Sequence, residues 1–271
     1  MRVSRTHISQ RPRTRLRLPG GISTSLPTTY KTPLQAGIFH GRGVLVAAMP
    51  SIPGAGSRYH HDLIGAINAH MTNTPRQMAA ALASNATWLE GDIRLVSGRP
   101  RMAHLPIDVP AGMDTETWLR IAATSGRSIK MDFKDSTAIE PTIALIRKLG
   151  IEDHRLMFNI TVSGRRFGNV TTNEAMHIRR RFPNAVIALA TDDASYPPVL
   201  LRDLGRMARA VGGTTQVMMR WDLVGPHSIS LLQKYTNVGI WNEPLIASPR
   251  DIPAEVTRLR SLGVTGVIDL R

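Results

Sequence analysis

The segments Thr87–Val96 (TWLEGDIRLV) and Ile129–Lys134 (IKMDFK) look like strands, yet both carry acidic side chains toward their ends. A strand that is buried on both faces of a parallel sheet should consist of continuous Val, Ile and Leu. Because side chains alternate along a strand, Glu90 and Asp92 share one face. Asp132 adds a third carboxylate from the next strand. The sequence thus predicts buried strands whose polar ends meet at one place.

Eight such segments recur from residue 64 onward, separated by stretches of helical period, which is typical of βα units around a parallel sheet. The predicted strands are Ile64–His70, Thr87–Val96, Ile129–Lys134, Leu156–Thr161, Ala185–Ala190, Gln216–Trp221, Asn237–Asn242 and Thr265–Leu270. Seven helices are predicted between them, over 75–82, 114–125, 139–149, 172–182, 198–211, 226–235 and 253–262. Eight strands close a TIM-type barrel. The predicted fold class is therefore α/β, a single (β/α)8 barrel with its last helix missing.

Length and composition fit one such domain. The chain has 271 residues, 42% of them hydrophobic, and a barrel of this type typically needs about 250 residues. We predict a barrel over residues 59–271 and a basic, disordered extension over residues 1–58. The absence of cysteine excludes disulfides, zinc–thiolate sites and a cysteine nucleophile, so any metal must bind oxygen or imidazole.

The net charge of +14 belongs mainly to the N-terminal part of the chain. Residues 1–61 contain nine Lys or Arg and no Asp or Glu, whereas the remainder carries 25 basic and 20 acidic side chains. Three interpretations stay open: an export signal, an arm that contacts phosphate backbones, and a dispensable extension with Met49 as the true start. The apolar run Gly43–Met49 is short for a signal, and no aromatic platform supports nucleic-acid binding. With no membrane-length apolar run, we predict a soluble protein, cytoplasmic rather than exported, that does not use nucleic acid as a partner.

The three carboxylates predict a metal site at the C-terminal ends of the strands, where barrel enzymes keep their chemistry. Glu90, Asp92 and Asp132 would repel one another unless a cation neutralised them, and a hard ion such as Mg²⁺ or Ca²⁺ suits all-oxygen ligands. The alternative is a set of buried salt bridges with Lys130 or Arg94.

Other polar residues stand near the same strand ends. His70 ends the first predicted strand, and His104 follows the second on a loop of the same mouth. Two imidazoles beside a metal-bound phosphate could serve as base and acid near neutral pH. Later strands end in further polar residues, namely Lys134, Asn159, Arg220, Trp241 and Asp269.

Five short motifs resemble the menorin family, a branch of the glycerophosphodiester-phosphodiesterase-like superfamily. His70-Met71-Thr72-Asn73-Thr74 resembles its His-Ala-Val-Asn-Ser, Leu89-Glu90-Gly91-Asp92-Ile93 its Leu-Glu-Ala-Asp-Val, Met102-Ala103-His104 its Met-Ala-His-Pro, Ile129–Lys134 its Ile-Lys-Leu-Asp-Phe-Lys, and Phe158-Asn159 its Leu-Asn pair. Their order and approximate spacing hold from about residue 64 to the end.

The resemblance implies a divalent-metal-dependent hydrolase acting on a small or lipid-derived phosphodiester. Glu90, Asp92 and Asp132 would hold one cation, and His70 and His104 would exchange protons with nucleophile and leaving group. The resemblance also implies substrate-binding or charge-neutralising roles for Asn73, Lys134, Asn159, Arg220 and Trp241. In the related diesterases a hydroxyl of the substrate itself can attack first and give a cyclic phosphate.

One departure leaves the function open. The diesterases follow their first His with Arg-Gly, whereas Met71 and Thr72 stand here. A phosphate-binding arginine is therefore missing from its usual position, and Arg220, Arg165 or Arg166 could replace it. The alternative function is a non-catalytic barrel used for ligand or protein recognition.

Overall fold

Eight parallel strands form a nearly closed barrel in the computed structural model, which describes residues 62–164, 170–243 and 247–271. The strands are β1 Asn68–Ala69, β2 Trp88–Val96, β4 Ser128–Phe133, β5 Leu156–Ser163, β6 Val186–Thr191, β7 Thr215–Arg220, β8 Asn237–Trp241 and β9 Ile268–Asp269. They are hydrogen-bonded in the order β1-β2-β4-β5-β6-β7-β8-β9. This arrangement confirms the predicted α/β barrel. The predicted extension and its boundary at residue 58 lie outside the described residues.

Seven α-helices connect the strands of the described ranges. They are α1 Pro75–Leu82, α2 Thr115–Thr124, α3 Ile139–Leu149, α4 Thr172–Arg181, α5 Pro198–Val211, α6 Pro226–Gln233 and α7 Ile252–Ser261. Local sequence explains where several of them begin and end. The side chains of Asp114 and Thr171 cap α2 and α4, and Gly150 closes α3 in the left-handed conformation at φ 63°. Among these described helices, none is long and apolar enough to cross a membrane.

A short antiparallel strand, β3 Arg99–Met102, was not predicted. It folds back on β2 as a hairpin, with Arg99 opposite Val96. Ser97 and Gly98 form the turn with φ values of 48° and 74°, the positive angles that a tight two-residue hairpin turn requires. The hairpin places His104 after β3, so His104 approaches the mouth from a returning chain and not directly from β2.

The first and last strands are shorter than predicted because side chains replace part of their ladders. The Asp62 carboxylate accepts the N–H groups of Ile64 and Gly65, at 3.0 and 2.8 Å, which bends the chain before β1. Near β9, the N–H of Val267 donates to the Gln216 side-chain oxygen at 2.9 Å. In the described residues β1 and β9 share no backbone ladder, and side chains join them.

Strand alternation separates two apolar regions. Side chains such as Leu89, Ile129 and Phe158 face the helices and form the larger core. The opposite side chains point into the barrel, where Trp88 and Met157 belong to a smaller apolar cluster. The barrel interior is therefore apolar in one part, and the charged side chains described next occupy the C-terminal mouth.

Candidate functional site

The carboxylates of β2 and β4 lie at two adjacent levels of the barrel interior. Asp92 is opposite Asp132, and Asp132 is opposite Asn159, so these three side chains cross β2, β4 and β5 at one level. Glu90 is opposite Lys130, two residues earlier. Glu90, Asp92 and Asp132 each offer an oxygen, and these oxygens all lie within 4.8 Å of one another. The structure thus brings together the three predicted ligands.

Glu90 is fully buried and only half satisfied. Its Oε2 accepts the backbone N–H of Met71 at 2.5 Å, while Oε1 is buried without a hydrogen-bond partner among the described residues. Burial raises the pKa of the Glu90 carboxyl, and the nearby carboxylates of Asp92 and Asp132 add to this increase, against the opposing effect of His70 and Lys130. An unpaired oxygen of this kind requires a proton or a cation.

Asp92, by contrast, is fully satisfied. Burial would raise its pKa, but Lys134, His104 and Asn73 together hold the pKa of Asp92 well below its usual range. Asn73 donates to the Asp92 carboxylate at 2.7 Å and accepts the Asp92 backbone N–H at 2.8 Å. The structure therefore places Asn73, which was predicted to contact substrate, behind Asp92, where it orients that carboxylate.

Lys134 lies between two of the carboxylates. Its Nζ is 2.7 Å from Asp132 and 3.0 Å from Asp92. Burial would lower the pKa of Lys134, but Asp132, Asp92 and Glu90 outweigh burial and raise it. Part of the salt-bridge alternative is thus present, although its partner is not the expected Arg94, whose guanidinium donates to the His104 carbonyl at 3.0 and 2.8 Å.

Asp269 on the closing strand forms a second buried ion pair, with Lys130 at 2.7 Å. The same carboxylate oxygen accepts a hydrogen bond from Asn68 at 3.0 Å and lies 3.3 Å from His70 Nδ1. The His70 Nδ1 atom is also 3.3 Å from Glu90. Asp269 was noticed as a polar strand end but was given no role. The signal that could have identified it was its place at the C-terminal end of the last barrel strand.

The charges of this cluster do not balance. Four carboxylates, those of Glu90, Asp92, Asp132 and Asp269, share the described site with two ammonium groups, those of Lys130 and Lys134. With all four carboxylates ionised and both histidines neutral, two negative charges are left, which is the charge that one divalent cation would neutralise. An all-oxygen ligand set suits a hard ion, and the unpaired Oε1 of Glu90 gives it a ready ligand. The residues present therefore fit a divalent cation.

A cavity of about 70 Å³ opens beside this cluster. The predicted residues that line it are His70, His104, Asp132, Lys134, Asn159 and Trp241, joined by the unpredicted Lys130, Asp269 and Arg271. Glu90 and Asp92 are not among its lining residues, so only Asp132 of the three candidate ligands faces the space directly. A bound ion would have to share this region with Lys134.

Three polar atoms of cavity-lining side chains are buried without a hydrogen-bond partner in the described structure. They are His70 Nε2, Asn159 Oδ1 and the indole Nε1 of Trp241. Burial would lower the pKa of His70, but Glu90 and Asp269 outweigh this and raise it. The His104 ring is a quarter exposed, with Nδ1 3.2 Å from Asp92. Unsatisfied groups around one cavity are the expected arrangement of a ligand-binding site.

The arginines differ from expectation. Arg220 is bound by both oxygens of Asp222, at 2.6 and 2.9 Å, and does not line the described cavity. Arg165 and Arg166 lie outside the described residues. Arg271 does line the cavity, and its guanidinium is 3.4 Å from the sulfur of Met71, the residue that stands where an arginine was expected.

Comparisons with known proteins agree with the resemblance found in the sequence. The model of the Menorin N-terminal domain matches residues 62–195. The human protein FAM151B is 32% identical over 85 residues, which are 30% of this chain and 30% of that protein. The chain thus matches less than a third of this relative's length. A crystal structure of a proposed lyase/mutase from Burkholderia cenocepacia J2315 covers 70% of each chain at 14% identity and a TM-score of 0.41, which is too distant to bear on function.

Proposed function

Because the chain belongs to the menorin family, we propose that its barrel is a divalent-metal-dependent phosphodiesterase-like hydrolase. Its proposed substrate is a small or lipid-derived phosphodiester of the glycerophosphodiester type. The observation that carries the proposal is the cluster of Glu90, Asp92 and Asp132, whose offered oxygens lie within 4.8 Å of one another beside two cavity-lining histidines. The cytoplasmic location expected from the sequence is part of the same proposal.

Glu90, Asp92 and Asp132 would hold one Mg²⁺ or Ca²⁺ ion. Such an ion, when bound, supplies Lewis-acid polarisation of a phosphoryl oxygen. The protein's own contribution begins with Asn73, which fixes the Asp92 carboxylate, and with the Met71 N–H, which fixes that of Glu90. Lys134 supplies positive charge where negative charge develops on the phosphoryl group.

His70 and His104 are the proposed proton carriers. In hydrolysis, a water oxygen bonds to phosphorus as the bond to one alcohol oxygen breaks. One imidazole takes the proton of the attacking water, and the other gives a proton to the departing alkoxide. In both rings Nδ1 lies near a carboxylate. The Nδ1 atom of His70 is beside Glu90 and Asp269, and that of His104 is beside Asp92. This leaves Nε2 of each ring as the atom for proton transfer.

A second candidate, a non-catalytic barrel for ligand or protein recognition, is favoured by one observation. Lys134 already bridges Asp92 and Asp132, so an internal cation replaces part of what a metal would do. In that case the cavity would bind a ligand without turning it over.

The test compares hydrolysis of a chromogenic phosphodiester by the full chain with and without Mg²⁺, Ca²⁺ or Mn²⁺. Wild type should require a divalent ion, and Glu90→Gln and Asp132→Asn should each lose at least about 10²-fold in kcat/KM. Asp203→Asn, an exposed carboxylate paired only with Arg206 on the surface, is the matched control. Turnover that survives chelation of metals would contradict the metal role, and no turnover by any form would favour the recognition function.

A further inference from the structure

Arg271 differs from the other cations of the mouth because no carboxylate binds it. Lys130 is paired with Asp269, Lys134 with Asp132 and Asp92. In the described part of the chain, the contact of the Arg271 guanidinium is the thioether of Met71 at 3.4 Å, a weak acceptor. Arg271 therefore brings to the cavity a guanidinium that forms no ion pair with a side-chain carboxylate in the described structure.

The backbone of Arg271 is held in place by a buried amide. Asn242 is 1% exposed, accepts the Arg271 N–H at 2.9 Å and donates to the main-chain oxygen of Arg271 at 3.0 Å. The Asn242 N–H in turn donates to the carbonyl of Asp269 at 3.3 Å. This pairing continues the β8–β9 contact past the end of both strands. Asn242 thus fixes the backbone of Arg271 to the barrel wall.

Trp241, the residue before Asn242, adds a second group that requires a partner. Its side chain lines the cavity, and its indole Nε1 is buried without an acceptor among the described residues. An indole N–H can only donate a hydrogen bond. Trp241 is opposite Asp269 in the β8–β9 register, and Arg271 follows two residues later. A donor and a cation thus come from neighbouring strand ends to one small cavity.

We propose that Trp241 and Arg271, held by Asn242, form a phosphoryl-binding subsite. Guanidinium and indole N–H would bind the non-bridging oxygens of a phosphate group, which is rich in acceptors and negatively charged. Both side chains line the cavity of about 70 Å³ beside the carboxylate cluster. Asp192 and Glu243 also line the cavity, and their negative charges oppose anion binding there, so the subsite depends on the guanidinium of Arg271.

The subsite rests on the proposed function for its substrate, but inorganic phosphate tests it without turnover. Calorimetric titration of the full chain with phosphate, in chelator and again in Mg²⁺, should show binding that Arg271→Ala weakens by about 10-fold or more. Arg271→Lys should fall between these two, because an ammonium keeps the charge without the planar fork. Arg206→Ala is the matched control and should bind as wild type does, since Arg206 is an exposed arginine of α5 paired with Asp203.

Asn242→Ala should weaken phosphate binding in the same direction, and its melting temperature must be compared with that of wild type because Asn242 is buried. Arg271 is exposed, so Arg271→Ala should melt as wild type does. Phosphate binding unchanged in Arg271→Ala, or absent in wild type under both conditions, would overturn the subsite. Binding that depends on Arg271 in a chain that hydrolyses no diester would sustain the subsite and reject the hydrolase.

Discussion

The two walls of the barrel mouth handle polarity in opposite ways. The carboxylate wall, formed by Glu90, Asp92 and Asp132 on β2 and β4, is dense in charge and is held by lysine, histidine and asparagine partners. The neutral wall, defined by the uncharged strand residues Asn159, Ala190, Met218 and Trp241 of β5 to β8, has two polar atoms without a partner in the described structure. The carboxylates of Asp192 and Glu243 line the cavity beyond the ends of β6 and β8.

This difference indicates that the two walls have different roles. Charged groups close together in a low-dielectric interior must compensate one another, which fixes their positions and shifts their pKa values. Leaving a neutral polar group unpaired costs less free energy than leaving a charged group unpaired, so a neutral group can lack a partner until a ligand binds. The carboxylate wall is thus suited to a cation and to proton transfer, and the neutral wall to binding the substrate.

The largest expected effect is on chemistry at the carboxylate wall. His70→Gln and His104→Gln should each lower kcat for a phosphodiester by about 10²- to 10⁴-fold, the usual contribution of a positioned acid or base. The measurement is steady-state hydrolysis at a saturating divalent ion. His154→Gln, a surface histidine near Glu152, is the control and should keep its kcat. Equal rates in all three variants would remove the histidines from the mechanism.

Next in size is the stability that depends on the Lys130–Asp269 pair. Lys130→Met leaves the Asp269 carboxylate buried without its cation, so it should lower the free energy of unfolding by about 3–5 kcal/mol. Denaturant unfolding measures the change. Lys148→Met removes a lysine that is 60% exposed and paired with Glu116 on the surface, and should cost below about 1 kcal/mol. Similar losses in both variants would mean that burial of the pair is unimportant.

A smaller effect concerns acid stability. Burial would raise the pKa of Asp269, but Lys130 and His70 outweigh it and hold that pKa well below the usual range. A carboxyl with a lowered folded-state pKa stabilises the fold above its unfolded pKa of about 3.9 and loses this contribution as the pH falls. Asp269→Asn should therefore flatten the decline of unfolding free energy below about pH 4, measured by denaturant titration. An unchanged slope would assign acid sensitivity to other groups.

The smallest effect is expected at the neutral wall. Trp241→Phe keeps the ring and removes the unpaired N–H, so it should raise KM by about 3- to 10-fold with little change in kcat. Trp88→Phe is a matched control, because the indole N–H of Trp88 also has no partner among the described residues, but Trp88 is not among the residues that line the cavity. A fall in kcat at constant KM for Trp241→Phe would place the indole in the chemistry instead.

Much of this fold could be predicted because the spacing of apolar residues along the chain follows the strand and helix periods. The long strands β2 and β5 were found to within a few residues, and α1, α3 and α5 have the predicted bounds. The two-residue strands β1 and β9 were overestimated, since the N–H groups of Ile64 and Val267 near them donate to side chains and not to a neighbouring strand. The hairpin strand β3 was missed because its Ser97-Gly98 turn is a weak signal.

The candidate site was predictable only where alternation decides it. Alternation brings Glu90 and Asp92 to one face, and the structure gathers them with Asp132 as predicted. Partner choice depends on three-dimensional packing that spacing does not contain. Spacing therefore could not indicate that Lys130 pairs with Asp269, 139 residues later. Nor could it indicate that Arg220 binds Asp222 or that Asn242 fixes Arg271 at the cavity.

The most direct test of the metal site is calorimetric titration of the metal-free full chain with Mg²⁺, Ca²⁺ and Mn²⁺. We predict that one ion binds per chain. Glu90→Gln should weaken this binding at least about 10-fold, because it alters the carboxylate whose Oε1 has no partner in the described structure. Asp203→Asn should bind the ion as wild type does. If none of the three ions binds, the proposed metal site is contradicted. Glu90, Asp92, Asp132 and Lys134 would then be a purely structural ion-pair network.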